Sequence, residues 1–341
     1  MPWLFLIVTL IGAWFTFNAY IPQRRTGPLV VPSFFAGWLT SELSAHHVAG
    51  QLAATLFFVW AGALRAWPGW VGLGITLASW LGLLALGRVA QRAAPVVETA
   101  LQDALGPGYA EGILPEISER MAAPDPPGRQ LVPFLLFDRA VQVTRGIEYA
   151  PGAGRKRQLD VYAPRLGVRD APVLLQIHGG GWVIGDKREQ ALPMMNHLAA
   201  RGWVCVAANY RLSPRATFPD HLVDVKLALR WIRENIAGFG GDPLFVAASG
   251  GSAGGHLSSM LALTAGDPEY QPGFEEVDTS VRACVPFYGV YDLTDQYGLQ
   301  AQPGIDSFFG RVVLKKSFAE EPDAFRRVSP MHRIHADAPP F

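Results

Sequence analysis

Apolar positions along this 341-residue chain follow two regimes that change over near residue 90. Upstream they run on with little polar relief. Trp3 to Tyr20 is interrupted only by Thr9, Thr16 and Asn18, a second stretch covers about Val48 to Ala63, and a third, Trp70 to Gly87, carries no charge. The first and third are about long enough to cross the roughly 30 Å apolar core of a bilayer as helices. The second starts beside His46, His47 and Gln51, so it reads either as another span or as a buried or interfacial helix. Downstream, short apolar runs alternate with helix-period segments. Strands are predicted at Val141–Tyr149 and Gln158–Tyr162, joined by the turn Pro151-Gly152-Ala153-Gly154. Val173–Ile177 leads to a helix around Gln190–Arg201, and Val204–Ala208 to one around Leu222–Ile236. Leu244–Ser249 leads to a helix ending at Leu263, and Ala283–Tyr288 is a further strand. Such alternation predicts a mostly parallel sheet with helices on both faces.

The domain reading follows: 1–88 a membrane region with two or three transmembrane helices, 89–136 a bridge centred on the Pro/Gly-rich Ala122–Gly128, and 137–341 an α/β domain. A cleaved signal peptide wants a basic start, and Met1-Pro2-Trp3-Leu4 has none. Trp67 and Trp70 are candidate interfacial anchors; Trp80 sits too centrally in its stretch. With three spans, the positive-inside bias puts Arg24/Arg25 and Arg88/Arg92 on the cytoplasmic side, with the α/β domain. The expectation is a multi-pass protein of the cell membrane.

Charge adds little. Lys and Arg total 29, as do Asp and Glu, so no field favours a nucleic-acid partner. Cys205 and Cys284 fall inside apolar strand patterns and read as buried free thiols, agreeing with a reducing compartment. No spacing of histidines or cysteines suits a metal, and no cofactor is expected.

The chemistry concentrates in two glycine-rich runs. Gly250-Gly251-Ser252-Ala253-Gly254 fits a G-x-S-x-G elbow between a strand and a helix. A sharp strand-to-helix turn exposes the Ser252 hydroxyl, and the Ala253 amide opens a helix N-terminus suited to negative charge. His178-Gly179-Gly180-Gly181-Trp182 follows the strand Val173–Ile177. Bare glycines there let backbone N–H groups face a developing alkoxide, the second wall of an oxyanion hole.

Those runs, with Asn209-Tyr210-Arg211-Leu212 and Phe239-Gly240-Gly241-Asp242-Pro243, resemble the esterase/lipase group of the α/β-hydrolase superfamily, of hormone-sensitive-lipase-like and type-B-carboxylesterase-like kind. The resemblance covers about Val141 to Phe341. One departure is Gly251, where relatives often carry Asp, Glu or His. The resemblance implies a membrane-anchored serine esterase acting on carboxylic esters, lipid-derived ones among the candidates, through an acyl-enzyme on Ser252. The amides of Gly180, Gly181 and Ala253 would hold the oxyanion, with His178 and Gly179 as motif support. The family places the triad acid and histidine after the seventh and eighth strands, so both are expected beyond Phe341 and the 341 residues are expected to be a weakly active or inactive piece. Asp292 is a fallback acid, more simply read as a turn cap. His332 and His335 precede the expected seventh strand, and His256 reads as a packing residue behind the elbow. Tyr210, Arg211, Asp224 and Trp231 read as structural, and Asp186-Lys187 as a solvated turn. Two alternatives stand beside the esterase: an arylformamidase-like amidase, and a non-catalytic membrane protein with a degenerate hydrolase domain. Oligomeric state is open.

Overall fold

The computed structural model describes residues 1–23, 29–122, 137–298 and 305–341. Arg24, Arg25 and the linker residues 124–128 lie outside them. The chain forms two compact units, Met1–Glu119 and Arg120–Phe341.

In the first unit, α1 (Pro2–Tyr20) and α4 (Trp67–Ala90) run parallel. Trp3 meets Trp67 edge-on at 5.3 Å, Thr16 Oγ1 bonds Ser79 Oγ at 2.7 Å, and Tyr20 donates to the Gly82 carbonyl at 2.8 Å. Helix α3 (Ser44–Trp60) returns the other way: its first residue lies beside Gly87, and Phe58 packs on Phe5 at 5.5 Å. Helix α2 (Val30–Glu42) seats Ser33 on Asn18 near the end of α1, through bonds of 2.7 and 2.5 Å. Helix α5 (Ala93–Leu105) follows α4, and α6 (Pro115–Ala122) spans the boundary between the units. Burial here is inverted. Thr9, Thr16, Asn18, Ser33, Thr40, Thr55, Thr76 and Ser79 are buried, while Leu4, Ile7, Leu10, Trp14, Phe17, Leu56 and Leu81 are exposed. Thr16, Thr55 and Thr76 each give their hydroxyl to the carbonyl four residues back, which satisfies them within their own helix.

The second unit carries a six-stranded sheet ordered β1-β2-β4-β3-β5-β6. The strands are β1 (Val141–Glu148), β2 (Gln158–Pro164), β3 (Ala171–Ile177), β4 (Val204–Ala208), β5 (Gly241–Gly251) and β6 (Ala283–Phe287). The β1–β2 and β2–β4 pairs are antiparallel; the remaining pairs are parallel. Strand alternation sends Val173, Leu175 and Ile177 into one core, with α8 (Asp220–Asn235) and α9 (Ala253–Leu263). Leu174 and Cys205 pack with Met195 and Ala199 of α7 (Leu192–Ala200) on the opposite face. This is an α/β-hydrolase sheet, mostly parallel with helices on both faces. Both cysteines are free and buried.

Several boundaries differ from the sequence reading, and those of α7 and β5 bear on the site. Helix α7 starts at Leu192, because Ala191 takes a left-handed conformation at its N-cap and Gln190 is engaged elsewhere. Strand β5 extends to Gly241 and Gly251, since Gly241 still pairs with Ala171 and Gly251 with Phe287. The register Ile177↔Gly250 sets the ends of β3 and β5 side by side, and so fixes where their two glycine-rich turns meet.

Candidate active site

Ser252 sits between β5 and α9 at φ 57°, ψ −118°, a conformation that persists only where its surroundings enforce it. Enforcement is local. The Ser252 N–H donates to the Phe287 carbonyl at 2.9 Å, and its own carbonyl accepts from the His256 N–H at 3.0 Å. Crowding explains the glycine that follows: a Cβ on Gly254 would stand 2.1 Å from the Ile177 carbonyl oxygen.

The turn after β3 leans directly on this elbow. A Cβ on Gly179 would lie 3.3 Å from the Ser252 Cβ and 2.6 Å from the Gly251 carbonyl oxygen. Gly180 and Gly181 follow at φ +116° and +58°, and the Gly180 carbonyl closes the turn by accepting from Val183 and Ile184. The structure therefore brings together Ser252, Ala253 and the run His178–Gly181.

Hydrogen bonds decide which amides remain available. The His178 Nδ1 lies 2.7 Å from the Gly179 carbonyl. A carbonyl only accepts, so the proton sits on Nδ1. A trans peptide opposes its C=O and N–H, so the Gly180 N–H points away from His178. The Tyr210 hydroxyl donates to the His178 carbonyl at 3.0 Å and its ring stacks on the imidazole at 4.4 Å. The Gly179 N–H donates to Gln190 Oε1 at 2.7 Å. Among the described residues no protein group accepts from the N–H of Gly180 or Gly181. Burial pushes His178 down to about 4, against the bond to Gly179, so the ring is neutral at pH 7.

Among the described residues no histidine or carboxylate bonds the Ser252 hydroxyl. His256, one turn along α9, points Nε2 at the Val328 carbonyl (2.8 Å) and packs edge-on against Trp182 at 5.2 Å; burial pushes it to about 4. His221 bonds Ser213 at 3.1 Å and is lowered to about 4 by burial. Asp292 accepts from the Thr294 N–H and hydroxyl (2.8 and 2.6 Å) and from the Gln296 N–H (2.9 Å). Burial pushes its carboxyl up, but those bonds outweigh it and the net shift is downward. His332 Nε2 stands 3.9 Å from Asp292 and 3.1 Å from Thr294 Oγ1, so Asp292 has a histidine neighbour. No group of three or more His, Cys, Asp or Glu among the described residues could hold a metal ion.

The Asp186-Lys187 turn departs from expectation. Lys187 is buried with its ammonium 3.5 Å from Asp160, and its N–H donates to Asn209 Oδ1 at 2.6 Å; Asp186 accepts from Asn209 Nδ2 at 2.9 Å. The turn is pinned because Asp160, fully buried on β2, needs cations, and Arg188 (2.5 Å) joins Lys187 around it. An aspartate inside the apolar run Leu159–Tyr162 was the available signal. Asp224, likewise buried, binds Arg211 (2.8 Å) and Arg157 (2.9 Å), and so ties the loop after β4 to α8.

A sequence model of the BD-FAE family matches residues 159–341. The probable carboxylic ester hydrolase LipM of Mycobacterium tuberculosis is 42% identical over 342 residues, covering 98% of this chain and 78% of LipM. Esterase LipQ of the same organism is 40% identical over 321 residues, covering 93% of this chain and 70% of LipQ. Among solved structures, a truncated form of a carbohydrate esterase from gut microbiota superposes with a TM-score of 0.52 at 25% identity, covering 58% of this chain and 74% of that one.

Proposed function

From the premise that this chain belongs to the BD-FAE family of α/β-hydrolases and is a carboxylic ester hydrolase, we propose that Ser252 is its nucleophile and that it acts at a membrane. The observation that carries the first part is the approach of Gly179 to the strained turn of the half-buried Ser252, which sets the glycine run and its amides beside the serine. Ser252 attacks the ester carbonyl. The oxyanion forms against the N–H groups of Gly180, Gly181 and Ala253, and the alcohol leaves to give an acyl-enzyme that water hydrolyses.

The serine needs a base to take its proton, and the base needs an acid to fix its tautomer. Among the described residues, which include all eight histidines, none bonds the Ser252 hydroxyl. At the far edge of the sheet, the Pro340 carbonyl accepts from the Cys284 N–H of β6 at 2.9 Å. Asp292 is the fallback acid.

The test is covalent labelling of the full-length protein with a fluorophosphonate. Wild-type protein should be labelled and turn over esters, and Ser252→Ala should lose labelling and about 10⁴-fold or more in kcat. A Ser252→Ala variant that keeps its activity overturns the assignment.

The membrane reading rests on the inverted first unit. Large apolar side chains cover its outside and small polar ones fill its inside, which suits a lipid surround and not water. Pro2–Tyr20 and a segment beginning at Trp67 are long and apolar enough to span. Four exposed tryptophans, Trp3, Trp60, Trp67 and Trp70, gather where α1 and α4 begin and α3 ends, as an interfacial belt would. We read α1, α3 and α4 as three spans over 1–88, residues 89–136 as a bridge and 137–341 as the catalytic domain. Arg88 and Arg92, at the opposite end of α4 from those tryptophans, put that end in the cytoplasm. Substrates are then acyl esters drawn from the bilayer. Faster turnover of short soluble esters than of acylglycerols in liposomes would count against that substrate class.

A further inference from the structure

We propose that Gln190 is a positioning residue of the oxyanion loop; the proposal rests on Ser252 as nucleophile. Gln190 Oε1 bonds the Gly179 N–H, not the Ser252 hydroxyl or the amides assigned to the oxyanion. It acts on the peptide between His178 and Gly179, which is gripped from two sides. The Gly179 N–H donates to Gln190 Oε1 at 2.7 Å, while the carbonyl of the same peptide accepts from the Tyr210 hydroxyl at 3.0 Å. With N–H and C=O pointing in opposite directions, these two bonds fix the rotation of that plane.

The consequence runs one residue further. Once the first plane is set, the Gly179 carbonyl meets His178 Nδ1 at 2.7 Å, and the next plane turns the Gly180 N–H outward. Three consecutive glycines have no side chains to hold them, so the loop depends on such bonds for its shape. Gln190 is the one clamp of the three that is neither in the HGGG run nor stacked on it. It is supplied by the residue before the N-cap of α7, where Ala191 takes φ 58° to turn the helix away. That left-handed cap brings the amide back toward the loop, and this arrangement accounts for a helix that begins later than its sequence pattern suggests.

The neutral amide also matters. A hydrogen-bond acceptor is needed at this place, and glutamate would provide one of nearly the same shape. Its negative charge, though, would sit one peptide away from where the oxyanion forms, and would oppose the charge that builds up in the transition state.

The test compares Gln190→Met and Gln190→Glu with wild type in the full-length protein, reading kcat and KM separately, the rate of fluorophosphonate labelling, the pH profile and Tm. Gln190→Met should keep KM within about 3-fold, lose about 10- to 100-fold in kcat and label more slowly by a similar factor. Gln190→Glu should lose more than Gln190→Met above the carboxyl's titration range, and the gap between the two variants should narrow as the pH falls through that range, about 4 for a glutamate. A purely structural role would not produce that pH-dependent gap. Variants with wild-type kcat, a loss confined to KM, a loss that tracks a lowered Tm, or a ratio of the two variants that does not move with pH would each overturn the role of Gln190. If wild-type protein itself does not label while remaining an active esterase, it is the assignment of Ser252 that fails.

Discussion

At the scale of single residues, the elbow is a packing problem before it is a chemical one. Gly254→Ala would drive a methyl group to 2.1 Å from the Ile177 carbonyl oxygen, a distance no rotation relieves, so β3 and α9 must separate. We expect it to cost about 3 kcal/mol or more, and Gly238→Ala, which meets nothing within 4 Å, to be nearly neutral. Paired urea melts check this. The buried histidines set a pH dependence. His178, His221 and His256 are each pushed to about 4, against an unfolded value of 6.5. The unfolded chain therefore binds more protons as the pH drops, and stability present above 6.5 is lost as the pH falls through 4. By pH 5 each contributes a loss on the order of 2 kcal/mol. Denaturation midpoints should fall steeply between pH 7 and 5, and His221→Gln should flatten the slope; an unchanged slope would mean His221 is not held neutral. At this scale the sequence was legible where the backbone itself demanded a residue type. The glycine runs announced both turns. Gln190 did not stand out, because a single polar residue reveals nothing of a partner eleven positions away until the chain has turned.

At the scale of elements, two buried aspartates do the tying. Asp160 on β2 accepts from the Gly146 N–H at 2.7 Å, where the β1–β2 register shifts, and holds Lys187 and Arg188 beyond the glycine turn. Asp224 on α8 joins Arg157, just before β2, to Arg211, beyond β4. Removing one member of such a cluster strands charges that have lost their water. Asp224→Ala should therefore cost about 3–5 kcal/mol. Chemical denaturation would check it, and a loss below about 1 kcal/mol would show that Arg157 and Arg211 find solvent instead. The strand and helix order could be read from hydrophobic period, and with the glycine motifs it led to the α/β-hydrolase fold and the esterase family. What the period could not show was the role of charges inside it. Asp160 interrupts an apolar run, and Asp186-Lys187 looks like any solvated turn until β2 is folded against it. The segment closing the α8–α9 core, with Phe309, Val313 and Phe325 buried, was also silent, because its helices are too short to carry a period.

At the scale of the whole molecule, the two units obey opposite solvents. The sheet unit buries Val, Leu and Ile and pairs its charges, as water requires. The first unit buries threonines and serines, and exposes leucine, isoleucine and tryptophan. On the membrane reading proposed above, no water drives these helices together, and close contact through small residues would do that work. Gly72 lies where a Cβ would come within 3.2 Å of both Phe5 and Thr9. The reading makes a topological prediction that needs no activity. The native cysteines, Cys205 and Cys284, are buried, so a new cysteine on the exposed flanks of α4 would be the reactive thiol. Three spans with Arg88 and Arg92 inside place Ala66 outside and Gln91 in the cytoplasm. The protein should resist alkaline carbonate extraction, and a membrane-impermeant maleimide on intact cells should label Ala66→Cys but reach Gln91→Cys only after lysis. The reverse pattern would invert the catalytic domain to the outer face. Labelling of both in intact cells would remove α4 as a span, and release by carbonate would remove the bilayer from the account of this unit altogether.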